Sequence, residues 1–319
     1  MSWETWEFAF HVTMPNLLLL LLGMGVRRLN LLDDAFCDSA MKLVFNLALP
    51  CLLFFSIATN QQSIANHLPM MIYGTLGTIA TFLLLECVAV YVVKDPRERG
   101  IFVQGGFRSN TGVMGLAFAM SAYGSEGVAV GSIYLTVTVI LFNILSVITL
   151  TRSLRRSEQG GKISKKDLLV GIATNPLIIG LLLGLAYSRI SLPIPDVIKQ
   201  TGSLVSALAL PLALLCAGAS LDIRTMLRTS NVAALSSAAK LILVPALLTL
   251  GGWIFGFRGV SLGIIFLFSA TPTASGSYAM TRAMGGNATL AANIIAMTTV
   301  GSFFVTALGL YFLRSLGVI

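Results

Sequence analysis

Residues 105–115 read Gly-Gly-Phe-Arg-Ser-Asn-Thr-Gly-Val-Met-Gly, a polar run set inside an otherwise apolar stretch. A continuous helix in lipid gains nothing from Arg108, Ser109, Asn110, Thr111 and Gly112 at that place. A second interruption, Ser-Ala-Thr-Pro-Thr-Ala-Ser-Gly-Ser at 269–277, breaks another apolar stretch. There Pro272 lacks an N–H, while Thr271, Thr273, Ser275 and Ser277 offer hydroxyls to the freed backbone groups. Both segments are predicted to unwind. Unwound backbone survives at membrane depth only where protein buries it or it lines an aqueous cavity, and it leaves half-helix N-termini with partial positive charge. Two such ends facing one cavity favour an anion.

The surroundings are membrane-like. Of 319 residues, 56% are apolar and 11% charged, with a mean hydropathy of +0.87, against about 25% charged in ordinary soluble domains. Apolar runs between polar breaks predict ten spans near 8–28, 36–58, 68–93, 100–122, 127–150, 168–188, 200–221, 231–256, 259–283 and 288–313. That leaves no room for a second globular domain. The first ten residues lack the basic segment of a cleaved signal and read as an interfacial lead-in to the first span. Cys37, Cys51, Cys87 and Cys216 are scattered singly and read as small core residues.

The net charge of +8 reflects basic loops rather than nucleic-acid binding. The longest polar stretch, 151–167, carries Arg152, Arg155, Arg156, Lys162, Lys165 and Lys166 and is expected to be a cytoplasmic linker. With it inside, Arg27, Arg28, Lys94, Arg97, Arg99, Arg224, Arg228 and Arg282 also fall inside, and only Arg189, Lys199, Arg258 and Arg314 fall outside. Both termini are therefore expected on the outer side of a multi-pass protein of the bacterial inner (plasma) membrane.

Shifting the chain against itself by 161 residues aligns Pro15 with Pro176, Gly23 with Gly184, Ala48-Leu49-Pro50 with Ala209-Leu210-Pro211, Gly115 with Gly276 and Gly124 with Gly285. Each half then holds five spans, and an odd number forces the second half to enter the bilayer in the opposite sense. The expected fold is all-α integral membrane, ten helices in a 5+5 inverted repeat with broken, crossing helices 4 and 9: residues 1–151 form the first repeat, 152–166 the basic linker and 167–319 the second repeat. Secondary transporters use this architecture, with substrate held near the midplane.

Several segments resemble the auxin efflux carrier family of bacteria and plants: RSNTGVMG at 108–115, NLALP from Asn46 to Pro50, NPLIIGLLLGL from Asn175 to Leu185, LPLALLCAGASL from Leu210 to Leu221, and MGGNATLAANIIAMTT from Met284 to Thr299. The resemblance covers nearly the whole chain. It implies crossed, unwound fourth and ninth helices, a scaffold of spans one, two, six and seven beside a mobile transport domain, and carriage of organic anions such as auxin, malonate or malate. By motif position Asn110 is the crossover asparagine and Pro272 marks the second crossover. One departure stands at Ala117, where the family usually carries a proline.

Other polar residues within spans bear on the chemistry. Glu86 is the one acidic residue placed well inside a span; it is a candidate proton carrier, the alternatives being a reach to the interface or an ion pair. The crossing lacks the adjacent acids that proton and sodium antiporters of related build rely on. Lys240 is costly in lipid unless it is paired or faces a cavity, and an anion pathway would supply its partner. Asn46 and Asn143 either line the cavity or bond between helices.

The expected function is a secondary transporter, an efflux carrier for mono- or dicarboxylates or auxin-like acids working by alternating access. Arg108, Ser109, Asn110, Thr111, Gly112, Thr271, Pro272, Thr273, Ser275, Asn46 and Lys240 are the candidate substrate-binding residues, with no catalytic residue, metal or cofactor. Its partners are a small organic anion and the lipid bilayer, not nucleic acid, and a homodimer is left open. A sodium-coupled symporter of bile-acid-symporter type is the alternative. A more remote one is a prenyltransferase-like enzyme built on Asp33, Asp34 and Asp38, which would need a second aspartate cluster where only Asp222 stands.

Overall fold

The computed structural model describes residues 3–58, 64–154, 174, 176–190, 193–221 and 230–319. Its helices are α1 (Trp3–Arg28), α2 (Asp34–Ala58), α3 (Ile64–Val92), α4 (Pro96–Phe107), α5 (Thr111–Leu154), α6 (Pro176–Ile190), α7 (Asp196–Ala219), α8 (Asn231–Ile254), α9 (Gly259–Ala270), α10 (Gly276–Ala283) and α11 (Ala288–Ser315). Among the described residues α1, α2, α3, α5, α7, α8 and α11 are the seven helices long and apolar enough to cross a membrane, and no strand is present. The chain is an all-helical integral membrane protein. Of the basic residues expected inside, Arg155, Arg156, Lys162, Lys165, Lys166, Arg224 and Arg228 lie outside the described residues, as do Asn175 and Asp222.

Element boundaries follow local chemistry. Asp33 caps α2 by accepting from Phe36 N at 2.7 Å, and Asp34 pairs with Arg27 at 2.8 Å, so two aspartates of the expected acidic cluster are committed to the turn between α1 and α2. Asp95 caps α4, with Pro96 in its first turn. The expected lead-in is already helical from Trp3, extending α1 toward the N-terminus. α2 and α8 each contain one π-turn, Val44–Ala48 and Ala239–Leu243, and each turn is followed two residues later by a proline, Pro50 and Pro245. A proline ring collides with the carbonyl four residues back, here Asn46 and Leu241, and the wider turn carries that carbonyl aside.

Two close helix pairs flank the core. Gly23 of α1 lies against the Leu215 carbonyl of α7, and Gly184 of α6 lies against the Phe54 carbonyl of α2. Both members of the first contact are 161 positions from a member of the second. The absence of a Cβ is what allows the backbones to meet.

The interior belongs to α4 and α9. Every residue from Gly100 to Phe107 is buried, and so is every residue from Leu262 to Ala270. A helix apolar on all sides belongs inside a protein. The expected fourth span is divided: α4 stops at Phe107 and helix resumes at Thr111. The expected ninth is divided likewise, α9 stopping at Ala270 and α10 starting at Gly276. α5 runs on from the expected fourth span into the expected fifth through Gly124, whose φ of 58° only glycine adopts readily. Gly285, at φ 77°, ends the last turn after α10.

Candidate substrate site

The two breaks meet. Ser109 and Thr273 form an antiparallel bridge; Asn110 N donates to Pro272 O at 2.9 Å and Ala274 N donates to Arg108 O at 3.0 Å. These bonds satisfy backbone groups that the helix ends would leave orphaned in a dry interior. Thr273 ties the junction further, donating from Oγ1 to Gly105 O at 2.6 Å and from its N–H to Thr298 Oγ1 at 3.1 Å. Thr271 turns inward, fully buried, and donates to Phe268 O at 2.8 Å.

Two cations stand at this junction without a carboxylate. Arg108 is half-buried; its Nη2 donates to Asn143 Oδ1 at 2.9 Å and its Nη1 to Met280 Sδ at 3.5 Å. The same Nη2 lies beside Gly276, at 3.1 Å from where a Cβ on that residue would sit. A guanidinium therefore rests at the N-terminus of α10, where the helix also presents its positive end, although the Ser277 and Tyr278 N–H groups of the first turn are already bonded to Ala274 O and Ser275 O. Lys240 on α8 has no exposed surface, and its ammonium donates to Ser109 Oγ at 2.7 Å and Ser269 O at 2.5 Å. Neither cation has an acidic group in ion-pair reach among the described residues.

Beside Lys240, Thr78, Thr81, Thr111, Thr138, Ser109 and Ser269 help line a small cavity of about 10 Å³, room for about one water. A larger cavity of about 620 Å³ opens between α2, α5 and α7, lined in part by Ser56, Glu126, Lys199, Ser203 and Ser206.

The fold thus brings together Arg108, Ser109, Asn110, Thr111, Thr271, Pro272, Thr273 and Lys240. The Asn110 side chain makes no hydrogen bond among the described residues, and Ser275 is exposed at the start of α10. Gly112 faces Leu177 of α6. Asn46 stands apart, exposed on α2 and donating to Lys42 O at 2.8 Å. Glu86 on α3 accepts from Thr149 Oγ1 and pairs with Arg152 at 3.3 Å, with no bond to the junction.

The model of the membrane transport protein family, the auxin efflux carriers, matches residues 8–310. The chain belongs to that family. An uncharacterized transporter of Methanothermobacter thermautotrophicus is 25% identical over 263 residues, covering 81% of this chain and 83% of that protein. Family and relative both point to a transporter rather than an enzyme.

Within this family member, sequence reasoning missed Gln104, Met280 and Thr298. Gln104 is four residues before Arg108 and so shares its helix face; its Nε2 donates to Met280 Sδ at 3.5 Å and its Oε1 accepts from Thr281 Oγ1 at 3.1 Å. The i,i+4 spacing was the available signal. Nothing local marks Met280, which reaches Gln104 across 176 positions.

Proposed function

We propose that the chain is a secondary carrier that moves a small organic anion, a mono- or dicarboxylate or an auxin-like acid, by alternating access around the junction of the two broken segments. The observation that carries this reading is Arg108: a half-buried guanidinium with no carboxylate partner among the described residues, resting on the N-terminus of α10. Arg108 attracts the anion, Asn110 and Ser275 orient it, and the backbone pairing of Ser109 with Thr273 holds the two halves of the site in register. Lys240, beneath Ser109, adds positive potential through a dry interior, where charge acts over a longer distance than in water.

The ten-span 5+5 inverted repeat, with halves at 1–151 and 167–319 joined by the linker 152–166, is part of the proposal. It is supported by the matched contacts of Gly23 with Leu215 and of Gly184 with Phe54, and by the positive φ shared by Gly124 and Gly285, all at the same offset of 161. In this arrangement the linker is cytoplasmic and both termini face outward from a bacterial inner membrane. Carriage is outward: an inside-negative potential supplies about 2.3 kcal/mol per charge per 100 mV, enough for efflux without a coupled ion. A sodium site at the junction would draw on oxygens such as Ser109 Oγ and Ser269 O, and both already hold the Lys240 ammonium.

Flux of labelled acetate, malonate, malate and indole-3-acetate from proteoliposomes, with imposed potential and separate proton and sodium gradients, tests the reading. Potential-driven efflux that is lost in Arg108→Gln supports it. Accumulation that requires an inward sodium gradient overturns it in favour of a sodium symporter.

A further inference from the structure

Gln104 is 1% exposed, yet the better part of its hydrogen-bonding capacity is spent poorly. Its amide NH2 and the Nη1 of Arg108 converge on one acceptor, the thioether of Met280, each at 3.5 Å. A sulfur can only accept, which fixes the amide with Nε2 toward it; Thr281 Oγ1, donating to Oε1 at 3.1 Å, agrees with that orientation. Thioether sulfur is a weak acceptor, and two strong donors, one of them charged, gain little from it. A buried amide that needs a partner normally finds an oxygen. The two donors sit on one face of the last turn of α4, four residues apart, and a carboxylate presents two acceptor oxygens to such a pair.

Met280 lies on the second turn of α10, directly after the second break, so its side chain moves with the half-helix whose N-terminus meets Arg108. Methionine is unbranched, with three rotatable bonds, and leaves a position at little conformational cost. We infer that Met280 is a displaceable plug: its sulfur holds the place of a carboxylate oxygen between Gln104 Nε2 and Arg108 Nη1, and the arriving anion expels it. Gln104 is then a substrate-binding residue that selects carboxylates over single-atom anions, because the second oxygen is what it recognises. This rests on the proposed reading of the junction as an anion site.

Thermal unfolding of the purified full chain against acetate, malonate, malate, indole-3-acetate and chloride gives the affinities, and wild type is compared with Met280→Leu, Gln104→Leu and Arg108→Gln. Leucine keeps the methionine volume and removes the acceptor. The plug predicts that Met280→Leu binds the stabilising carboxylate about three- to tenfold more tightly, while Gln104→Leu weakens it about tenfold or more, the scale of one hydrogen bond to a charged group. Chloride gains nothing in either variant. With methyl-labelled methionine, the resonance that Met280→Leu deletes shifts when the carboxylate saturates wild type. Arg108-dependent stabilisation that is unaltered by Met280→Leu and Gln104→Leu overturns the plug and leaves the anion carrier standing. No stabilisation of any variant by any carboxylate overturns the carrier reading and the plug with it.

Discussion

The Nζ of Lys240 lies 2.7 Å from Ser109 Oγ, placing a fully buried ammonium directly under the first break. A buried charge without a counterion costs several kcal/mol. Two hydrogen bonds to a hydroxyl and a carbonyl, the latter from Ser269, recover only part of that. On the proposed reading, the compensating gain arises from an anion at the junction. Lys240→Met is therefore expected to keep the wild-type unfolding temperature without ligand and to lose most of the carboxylate-induced rise. Unfolding scans with and without malonate check this. A ligand-free drop of many degrees would make Lys240 a structural tie instead.

The paired contacts of the flanking helices give a second expectation. A Cβ at Gly23 runs into the Leu215 carbonyl, and one at Gly184 comes within 2.9 Å of the Phe54 carbonyl, so both demand backbone movement. Overpacking of this kind costs about 1–3 kcal/mol. Gly25, two residues along α1, has open space where its Cβ would be, and alanine there gains up to about 1 kcal/mol in helix propensity. Gly23→Ala, whose Cβ would lie 2.1 Å from the Leu215 oxygen, should lower the unfolding temperature more than Gly184→Ala, and Gly25→Ala should not lower it. Unfolding temperatures of the three variants check this, and an unchanged value for Gly23→Ala would mean that the two backbones do not meet there.

Glu86 is held by Thr149 and by an Arg152 whose side chain is 70% exposed. A pair open to solvent on one side contributes about 0–1 kcal/mol. Glu86→Gln should therefore reduce stability slightly and leave carboxylate flux within about twofold of wild type, with the same response to an imposed proton gradient. Flux that loses its proton dependence in this variant would identify Glu86 as the proton carrier.

The breaks were legible because their residues contradict their surroundings: Arg108 in an apolar run, Pro272 amid hydroxyls. The match of Gly124 with Gly285 at the offset of 161 was legible in the sequence, and their shared positive φ gives it a backbone reason. What sequence could not give is the register of the junction. Ser109 pairs with Thr273, although the repeat offset would carry Ser109 to Ala270; pairing across a break is set by how two helix ends meet, which no local pattern encodes. Gln104 and Met280 escaped for the same reason, being ordinary residues until α4 and α10 are brought side by side. Asn46 was picked on residue type, and its bond to Lys42 O is made within its own helix.

Ala117 stands where the family usually carries proline, and the π-turns explain why the first break forms without it. In α2 and α8 the proline follows its π-turn by two residues, Pro50 after Ala48 and Pro245 after Leu243. Ala117 follows the π-turn Thr111–Gly115 by the same two residues. The carbonyl that a ring at 117 would strike belongs to Val113, inside that turn, as Asn46 and Leu241 lie inside theirs. The wide turn is thus present before any proline requires it, and position 117 is prepared to accept one. Ala117→Pro should cost no more than about 1 kcal/mol, whereas Val130→Pro, in the regular and buried part of α5, should cost about 3 kcal/mol or more. Unfolding temperatures of the two variants compare them directly. Equal losses would mean that the turn at 111–115 does not displace the Val113 carbonyl, and that the first break depends on glycine freedom at Gly112 and Gly115 instead.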